Sequence, residues 1–382
     1  MDKKELDMLR ALPLDVKVAK SKLRIEEFVR FMGEDNVYIS FSGGKDSTVL
    51  LHITRSLYPN LTAVFSNTGL EFPEVVEFAK NELVNFDENV TFEDISKERN
   101  CSVKMLQKLN KVERASELQL NDHQRVIRVP RFNLVEVRPK KTFKQVIEED
   151  GYPMISKLTA RMIHDCQNPT PRNLKTRTLY MSDYYIDEVT GLPDPTRKNP
   201  RFKIPEKWRY LVNSPYKFSN KCCAYLKHRP IADYEKESKK RPIVGTMAAE
   251  SKLRETSYLK NGCNQFMPKK EICAPLGFWT ENDILEYIKV NNLEYASVYG
   301  DIVETNEEVC GRKQFTTTGE KRTGCVFCGF GVHLEKGENR YQRLERTHPQ
   351  LHTYCMENLG FRELCEYMGI EHSLKKEDNK EK

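Results

Sequence analysis

Residues 37–47 constrain this chain more than any other stretch. Val37-Tyr38-Ile39-Ser40-Phe41 is an apolar run that reads as a buried strand. Ser42-Gly43-Gly44 then breaks the period, and from Asp46 onward Val49, Leu50, Ile53 and Leu57 recur at helical spacing. Strand, glycine turn and helix start therefore follow one another directly. Two glycines let the backbone take positive φ and come close to a ligand. The helix start offers free N–H groups and the positive end of a dipole, which together suit a phosphate or pyrophosphate. Ser42 and Ser47 add hydroxyls, and Lys45 adds a cation.

The next segment repeats the unit. A strand is expected over 61–65, and Ser66-Asn67-Thr68-Gly69-Leu70-Glu71-Phe72-Pro73 leads into a helix carrying Val75, Val76, Phe78, Ala79 and Leu83, with Pro73 in its first turn. A third strand is expected around 90–92. Alternating strands and helices predict a doubly wound parallel sheet with right-handed crossovers, an α/β fold. Ligands in such sheets sit at the carboxyl ends of the strands, so the Ser42 loop and the Asn67-Thr68-Gly69 turn should line one pocket.

The flanking sequence fills in the organisation. Residues 1–35 predict N-terminal helices, with Ile25, Phe28, Val29 and Met32 on one face and Gly33 near the end. The α/β domain is expected over 36–300, with a short helix over 142–149, a turn at Gly151-Tyr152-Pro153, a strand over 241–247 and a capping box at Thr280-x-x-Asp283. Residues 167–220 read as a loop-rich, proline-rich insertion. Its Arg177, Tyr180, Tyr184, Tyr185, Lys198, Arg201, Trp208 and Arg209 also suit an arm for nucleic acid, with aromatics for bases and cations for phosphates. A C-terminal cysteine-bearing helical region is expected over 301–374 and a disordered tail over 375–382.

No apolar run approaches the ~18 residues of a membrane span, and Met1-Asp2-Lys3-Lys4-Glu5 carries no apolar signal segment, so a cytoplasmic protein without a membrane partner is expected. The net charge of +6 permits anionic partners without demanding them. Eleven cysteines in a reducing compartment point to metal or catalysis rather than disulfides.

Cys222 and Cys223 are adjacent, and Cys325-Val326-Phe327-Cys328 lies far downstream between Gly324 and Gly329. Consecutive side chains diverge, so two neighbouring thiolates fit poorly on one tetrahedral ion and better on separate irons of a cluster. Four thiolates match the ligand count of a [4Fe–4S] cube. Structural zinc and unligated buried thiols are the alternatives. Cys263, Cys273 and Cys310 lie between the pairs and could substitute; Cys101, Cys166, Cys355 and Cys365 read as small buried hydrophobes.

Ser42-Gly43-Gly44-Lys45-Asp46-Ser47 is not a Walker A loop, whose spacing differs. It resembles the PP-loop of enzymes that split ATP between its α and β phosphates. With Asn67-Thr68-Gly69-x-x-Phe72-Pro73-Glu74, Gly151-Tyr152-Pro153, Cys222-Cys223-x-x-Leu226-Lys227, Gly245-x-x-x-x-Glu250-Ser251-x-x-Arg254, Pro275-Leu276-x-x-Trp279-Thr280 and Gly324-Cys325-x-x-Cys328, the chain resembles the phosphoadenosine-phosphosulfate reductase-like branch of that superfamily.

The resemblance implies an adenine nucleotide alpha-hydrolase-like sheet and adenine-nucleotide binding. Ser40 and Ser42 to Ser47 would hold the pyrophosphate portion, with Lys45 and Asp46 catalytic and Asp46 placing Mg²⁺. Asn67, Thr68 and Gly69 would line the nucleotide pocket. Glu250, Ser251 and Arg254 would face it, with Arg254 also catalytic, on phosphate or sulfate; Cys222, Cys223, Cys325 and Cys328 would hold the cluster. Implied partners are a DNA, RNA or small-molecule acceptor, a sulfur-donating protein such as a cysteine desulfurase, and further copies of the chain in an oligomer.

Sulfonucleotide reductases alter the PP-loop and carry a C-terminal Glu-Cys-Gly-Leu-His; here the loop is intact and the end reads Gly369-Ile370-Glu371-His372-Ser373. The family usually has Asp at Asn67 and Arg at Met247. The intact loop and the missing C-terminal cysteine favour ATP α–β cleavage that adenylates an acceptor for sulfur transfer, in the character of DNA phosphorothioation enzymes and phage relatives. Sulfonucleotide reduction to sulfite, an ATP sulfurylase small subunit and a non-catalytic nucleotide- or DNA-binding regulator are the competing expectations.

Overall fold

The structure, a computed structural model, describes residues 2–110, 124–268, 270–309 and 311–374. Cys310 and the tail over 375–382 lie outside the described residues. Two compact units emerge, one of Met1–Asn67, Glu71–Arg138 and Ile231–Thr323, the other of Thr68–Leu70, Pro139–Pro230 and Gly324–Lys382.

The first unit is α/β, built on a six-stranded sheet. Strand β1 (Val37–Phe41) lies at its centre, with Val37, Tyr38 and Ile39 fully buried. On one side β1 pairs in parallel with β2 (Ala63–Ser66), which pairs in parallel with Leu134–Val137. On the other side it pairs in parallel with Arg241–Ile243, then Ile272–Cys273; only the edge strand Asn264–Gln265 runs antiparallel. The chain thus winds outward from β1 on one side and later returns to pair on the other. The carboxyl end of β1 is a topological switch point, where open α/β sheets leave a crevice.

Helices α1 (Lys3–Ala11) and α2 (Leu14–Met32) precede the sheet, and Ile25, Phe28 and Val29 are buried as their spacing predicts. The Pro275 to Thr280 motif explains what anchors them. Trp279 is fully buried and its Nε1–H donates to Ser21 Oγ at 3.0 Å, while Ser21 Oγ–H donates to the Pro275 carbonyl at 2.9 Å. Thr280 caps the helix Glu281–Val290 through the expected box with Asp283. Asp283 also accepts from Lys17 of α2 at 2.6 Å, both side chains being fully buried.

Two expectations fail between β2 and Leu134–Val137. Helix α4 (Pro73–Lys80) stops at Lys80, so Leu83 lies in a strand, Asn81–Asp87. That strand pairs antiparallel with Gln124–Pro130 in a separate ribbon, around a small core of Phe86, Ile95, Leu106, Ile127 and Val129. Residues 90–92 form no strand: Thr91 caps the helix Phe92–Glu98 in a box with Asp94, a local signal stronger than three apolar-leaning residues. The third parallel strand is instead Leu134–Val137.

The second unit holds the expected short helix, Phe143–Glu149, with Thr142 as its cap, and the insertion. The insertion is more ordered than a loop-rich reading implies. It contains the helix Leu174–Met181, the antiparallel pair Tyr184–Ile186 and Pro193–Lys198, and the 3-10 turns of Glu206–Asn213. Asn199, almost fully buried, ties these pieces by donating to the Leu179, Ser182 and Phe202 carbonyls. No helix among the described residues is long and apolar enough to cross a membrane.

Candidate functional site

Helix α3 (Lys45–Arg55) follows β1 after three residues. Gly43 has φ +72°, and a Cβ there would stand 2.9 Å from the Val75 carbonyl oxygen and 3.0 Å from Ala79 Cβ. Only glycine fits both the backbone and the approach of α4. Gly44 caps α3 without a side-chain cap bond; its own N–H donates to Ser42 Oγ at 3.4 Å, so a phosphate would meet the N–H groups of the first turn beyond it. The hydroxyls organise the turn from within. Ser47 Oγ–H donates to the Gly44 carbonyl at 2.9 Å and accepts from the Ser42 N–H at 3.2 Å; Ser42 Oγ lies 3.1 Å from Ser47 Oγ. Ser40 sits half-buried in β1, opposite Val64.

Lys45 is buried and already engaged. Its ammonium donates to the Lys321 carbonyl at 2.6 Å, pairs with Glu281 at 3.0 Å and lies over the Tyr299 ring. Its backbone N–H donates to Tyr299 Oη at 3.3 Å, and that hydroxyl is 2.6 Å from Thr323 Oγ1.

Asp46 differs from its neighbours. Its Oδ1 is buried and has no hydrogen-bond partner. Burial pushes its carboxyl above the usual aspartate range, against the attraction of Lys45, Arg322 and Arg254. The turn after Arg241–Ile243 closes on the same place, because a Cβ on Gly245 would stand 3.2 Å from the Asp46 carbonyl oxygen. Beyond it, Glu250 accepts from the Met247 N–H at 2.9 Å and pairs with Arg254. Ser251 caps the helix Lys252–Asn261 by accepting the Arg254 N–H. An anionic, buried, unpartnered oxygen beside an open helix start fits a divalent cation accompanying a polyphosphate.

In the second unit, Thr68 Oγ1 accepts the Leu70 N–H at 3.2 Å, and Gly69 has φ +75° with open space where a Cβ would stand. The same unit holds all four expected thiols. Cys222 and Cys223 open a helix that runs on through a π turn at Ala224–His228. Cys325 and Cys328 close a turn in which the Cys328 N–H donates to the Cys325 carbonyl at 3.1 Å. The Cys222 thiol feels Cys223, Cys328 and Cys325 together, and its hydrogen bond with Cys223 raises it while lowering its neighbour. Lys157 and Lys227 also favour the Cys223 thiolate, whereas burial raises the Cys328 thiol against the attraction of Arg340, which donates to the Cys328 carbonyl at 2.8 Å. Among the described residues no three His, Cys, Asp or Glu side chains converge on one ion. The four thiols share one unit, with Lys157, Lys227 and Arg340 among the cations that act on them. Cys263 and Cys273 belong to the first unit, where burial raises both thiols.

Two stretches of the sequence, residues 36–133 and 175–328, match the phosphoadenosine phosphosulfate reductase domain, and together they make up well over half the chain. The chain belongs to that family. No curated protein matches it. Among solved structures, 22 chains match. One is a phosphoadenylyl-sulfate (PAPS) reductase from Candida auris in a phosphate complex, 12% identical, covering 81% of this chain and 98% of that one with a TM-score of 0.32.

Within this family the asparagine at 67 has a local cause. Asn67 Nδ2–H donates to Glu136 Oε1 at 2.7 Å, and Glu136 also binds Arg138 and Lys80. An aspartate would meet a like charge there. At the other departure, Met247 is buried and brings no cation.

Sequence reasoning missed Glu281, Tyr299, Lys321, Arg322 and Thr323. The one hint was the basic Lys321-Arg322 pair just ahead of Gly324-Cys325.

Proposed function

We propose that the protein binds ATP at the Ser42–Ser47 loop and cleaves it between the α and β phosphates to adenylate an acceptor for sulfur transfer. One observation carries the reading: an unaltered phosphate loop whose Asp46 Oδ1 is buried without a partner, beside Arg254 and Arg322. An acceptor oxygen would attack the α phosphorus, the bond to the β-phosphate oxygen would break, and pyrophosphate would leave with the electron pair. A sulfur nucleophile would then displace AMP. The open start of α3 would bind the phosphates, and Arg254 would offset the charge that develops on the leaving group. Asp46 would hold Mg²⁺, which supplies further neutralisation there. Cys222, Cys223, Cys325 and Cys328 would hold a [4Fe–4S] cluster, or zinc as the alternative, the cluster supplying labile sulfur, an open iron site or a clamp. The acceptor class is DNA, RNA or a small molecule, in the character of phosphorothioation-type and phage enzymes, with a sulfur-donating protein as partner.

The family's name carries a second reading, reduction of a sulfonucleotide to sulfite. It needs a nucleophilic cysteine, and only Cys355 or Cys365 stands near the C-terminal end. Both are fully buried, and burial pushes the Cys365 thiol up to about 12. An inert core thiol is the better reading of each.

The test is anaerobically purified protein with ATP and Mg²⁺, assayed for AMP and pyrophosphate with candidate nucleic acids and without them. Both products are expected. Nucleotide binding without products would favour a non-catalytic regulator, and sulfite from a sulfonucleotide with thioredoxin would favour reduction. Visible thiolate-to-iron absorbance lost in Cys325→Ser would decide cluster against zinc.

A further inference from the structure

Arg322 has no role in the family motifs, yet its surroundings are built. Its preceding neighbour Lys321 accepts the buried Lys45 ammonium on its carbonyl at 2.6 Å. Its following neighbour Thr323 bonds Tyr299 at 2.6 Å, and Tyr299 in turn accepts the Lys45 N–H at 3.3 Å. A Cβ on Gly44 would stand 3.2 Å from Tyr299 Oη and 3.5 Å from Thr323 Oγ1. The chain on both sides of Arg322 is therefore fastened to the start of α3. The Arg322 side chain itself is exposed and makes no hydrogen bond or ion pair among the described residues.

The local charges sharpen this. Lys45 pairs with Glu281 and Arg254 pairs with Glu250. That leaves Asp46, with its unpartnered Oδ1, and Arg322. Arg322 is near enough to Arg254 for the two cations to disfavour each other. If Asp46 is occupied by a divalent cation, Arg322 has no carboxylate left to answer it. A polyphosphate answers both needs at once: oxygens for the metal and for the guanidinium.

We infer that Arg322, held over the phosphate loop by Lys321 and Thr323, binds the β,γ-phosphates of the nucleotide. The inference rests on the reading that this loop takes ATP. A guanidinium presents a rigid fork of donors that matches phosphate oxygens, so loss of the side chain removes charge-assisted bonds to the polyphosphate and none to the nucleoside.

The experiment is calorimetric titration of the full chain with ATP and with AMP, each with Mg²⁺, for wild type, Arg322→Ala and Arg322→Lys. Arg322→Ala should weaken ATP by about 10- to 100-fold and AMP by less than about threefold. Arg322→Lys should recover part of the ATP loss. If wild type binds no ATP, the reading of the loop fails and the inference falls with it. If wild type binds ATP and Arg322→Ala binds it equally well, the reading stands and the inference is overturned. An equal loss of ATP and AMP overturns it too, because that would mark a structural effect on the loop.

Discussion

Asp46→Asn should stabilise the ligand-free protein while abolishing its response to nucleotide. Asp46 Oδ1 is buried and unpartnered, and burial, the largest influence on the carboxyl, raises it above the ordinary aspartate value of 3.8 despite Lys45, Arg322 and Arg254. The sign follows from linkage. A carboxyl raised on folding binds more protons in the folded chain, so stability falls as pH rises from the ordinary aspartate value of 3.8 through the raised folded value. A buried unsatisfied acceptor costs about 1–3 kcal/mol, more when charged. Asparagine removes the charge and also the attraction to three cations, so the net gain near neutral pH should be about 1–2 kcal/mol. The assay is urea unfolding at several pH values, with and without Mg²⁺ and ATP. Without ligand the variant should unfold at higher urea, and the difference should shrink as pH falls toward the aspartate range. With ligand at about 100 times Kd, wild type alone should gain about 2.7 kcal/mol, reversing the order. A variant less stable than wild type without ligand, or equally stabilised by it, would refute the idea that Asp46 is kept unpaired for a ligand.

Other substitutions probe the frame and the alternatives. Lys17→Met should lower stability by about 3–5 kcal/mol in urea unfolding, because it strands a fully buried Asp283 with only Arg312 and the Thr280 cap; a loss under about 1 kcal/mol would mean the pair is replaceable. Gly43→Ala must hold φ near +72° and bring a Cβ against the Val75 carbonyl, so it should cost at least about 2 kcal/mol and remove ATP binding by calorimetry. Cys365→Ala should leave AMP and pyrophosphate formation within about twofold while lowering the thermal midpoint, since it empties a buried site; abolished turnover would reinstate a nucleophilic cysteine.

What could be read from the sequence was local. Val37 to Phe41 is a mostly apolar run, broken only by Ser40 and followed by Ser42 and two glycines, so strand, turn and helix are each signalled within a few residues. Thr280 and Asp283 declare a helix start in the same way. Leu134–Val137 announces itself poorly, because this edge-side strand carries Glu136 for its contact with Asn67 rather than a full apolar pattern. Residues 90–92 misled for the opposite reason: apolar character was present, but the Thr91 and Asp94 box outranked it. At the site, Ser42 to Ser47 were visible because glycines and small polar residues mark phosphate turns. Tyr299, Lys321 and Thr323 were not, because each reaches the loop across more than 250 residues of chain.

The departure at 67 and the retained aspartate at 46 bear on each other. Asparagine at 67 looks, in isolation, like the loss of a carboxylate that a metal site needs. In the fold it donates to Glu136, whose other oxygen pairs with Lys80, so position 67 is occupied with strand-end geometry. An aspartate there would set two carboxylates at hydrogen-bonding distance, and one would have to take up a proton or turn away. At Asp46 no carboxylate stands at hydrogen-bonding distance: its Oδ1 is buried without a partner, and the like charge of Glu281 is offset by Lys45, Arg322 and Arg254. Position 67 is thus engaged by Glu136, while the Asp46 Oδ1 at the phosphate loop is a buried carboxylate oxygen without a partner.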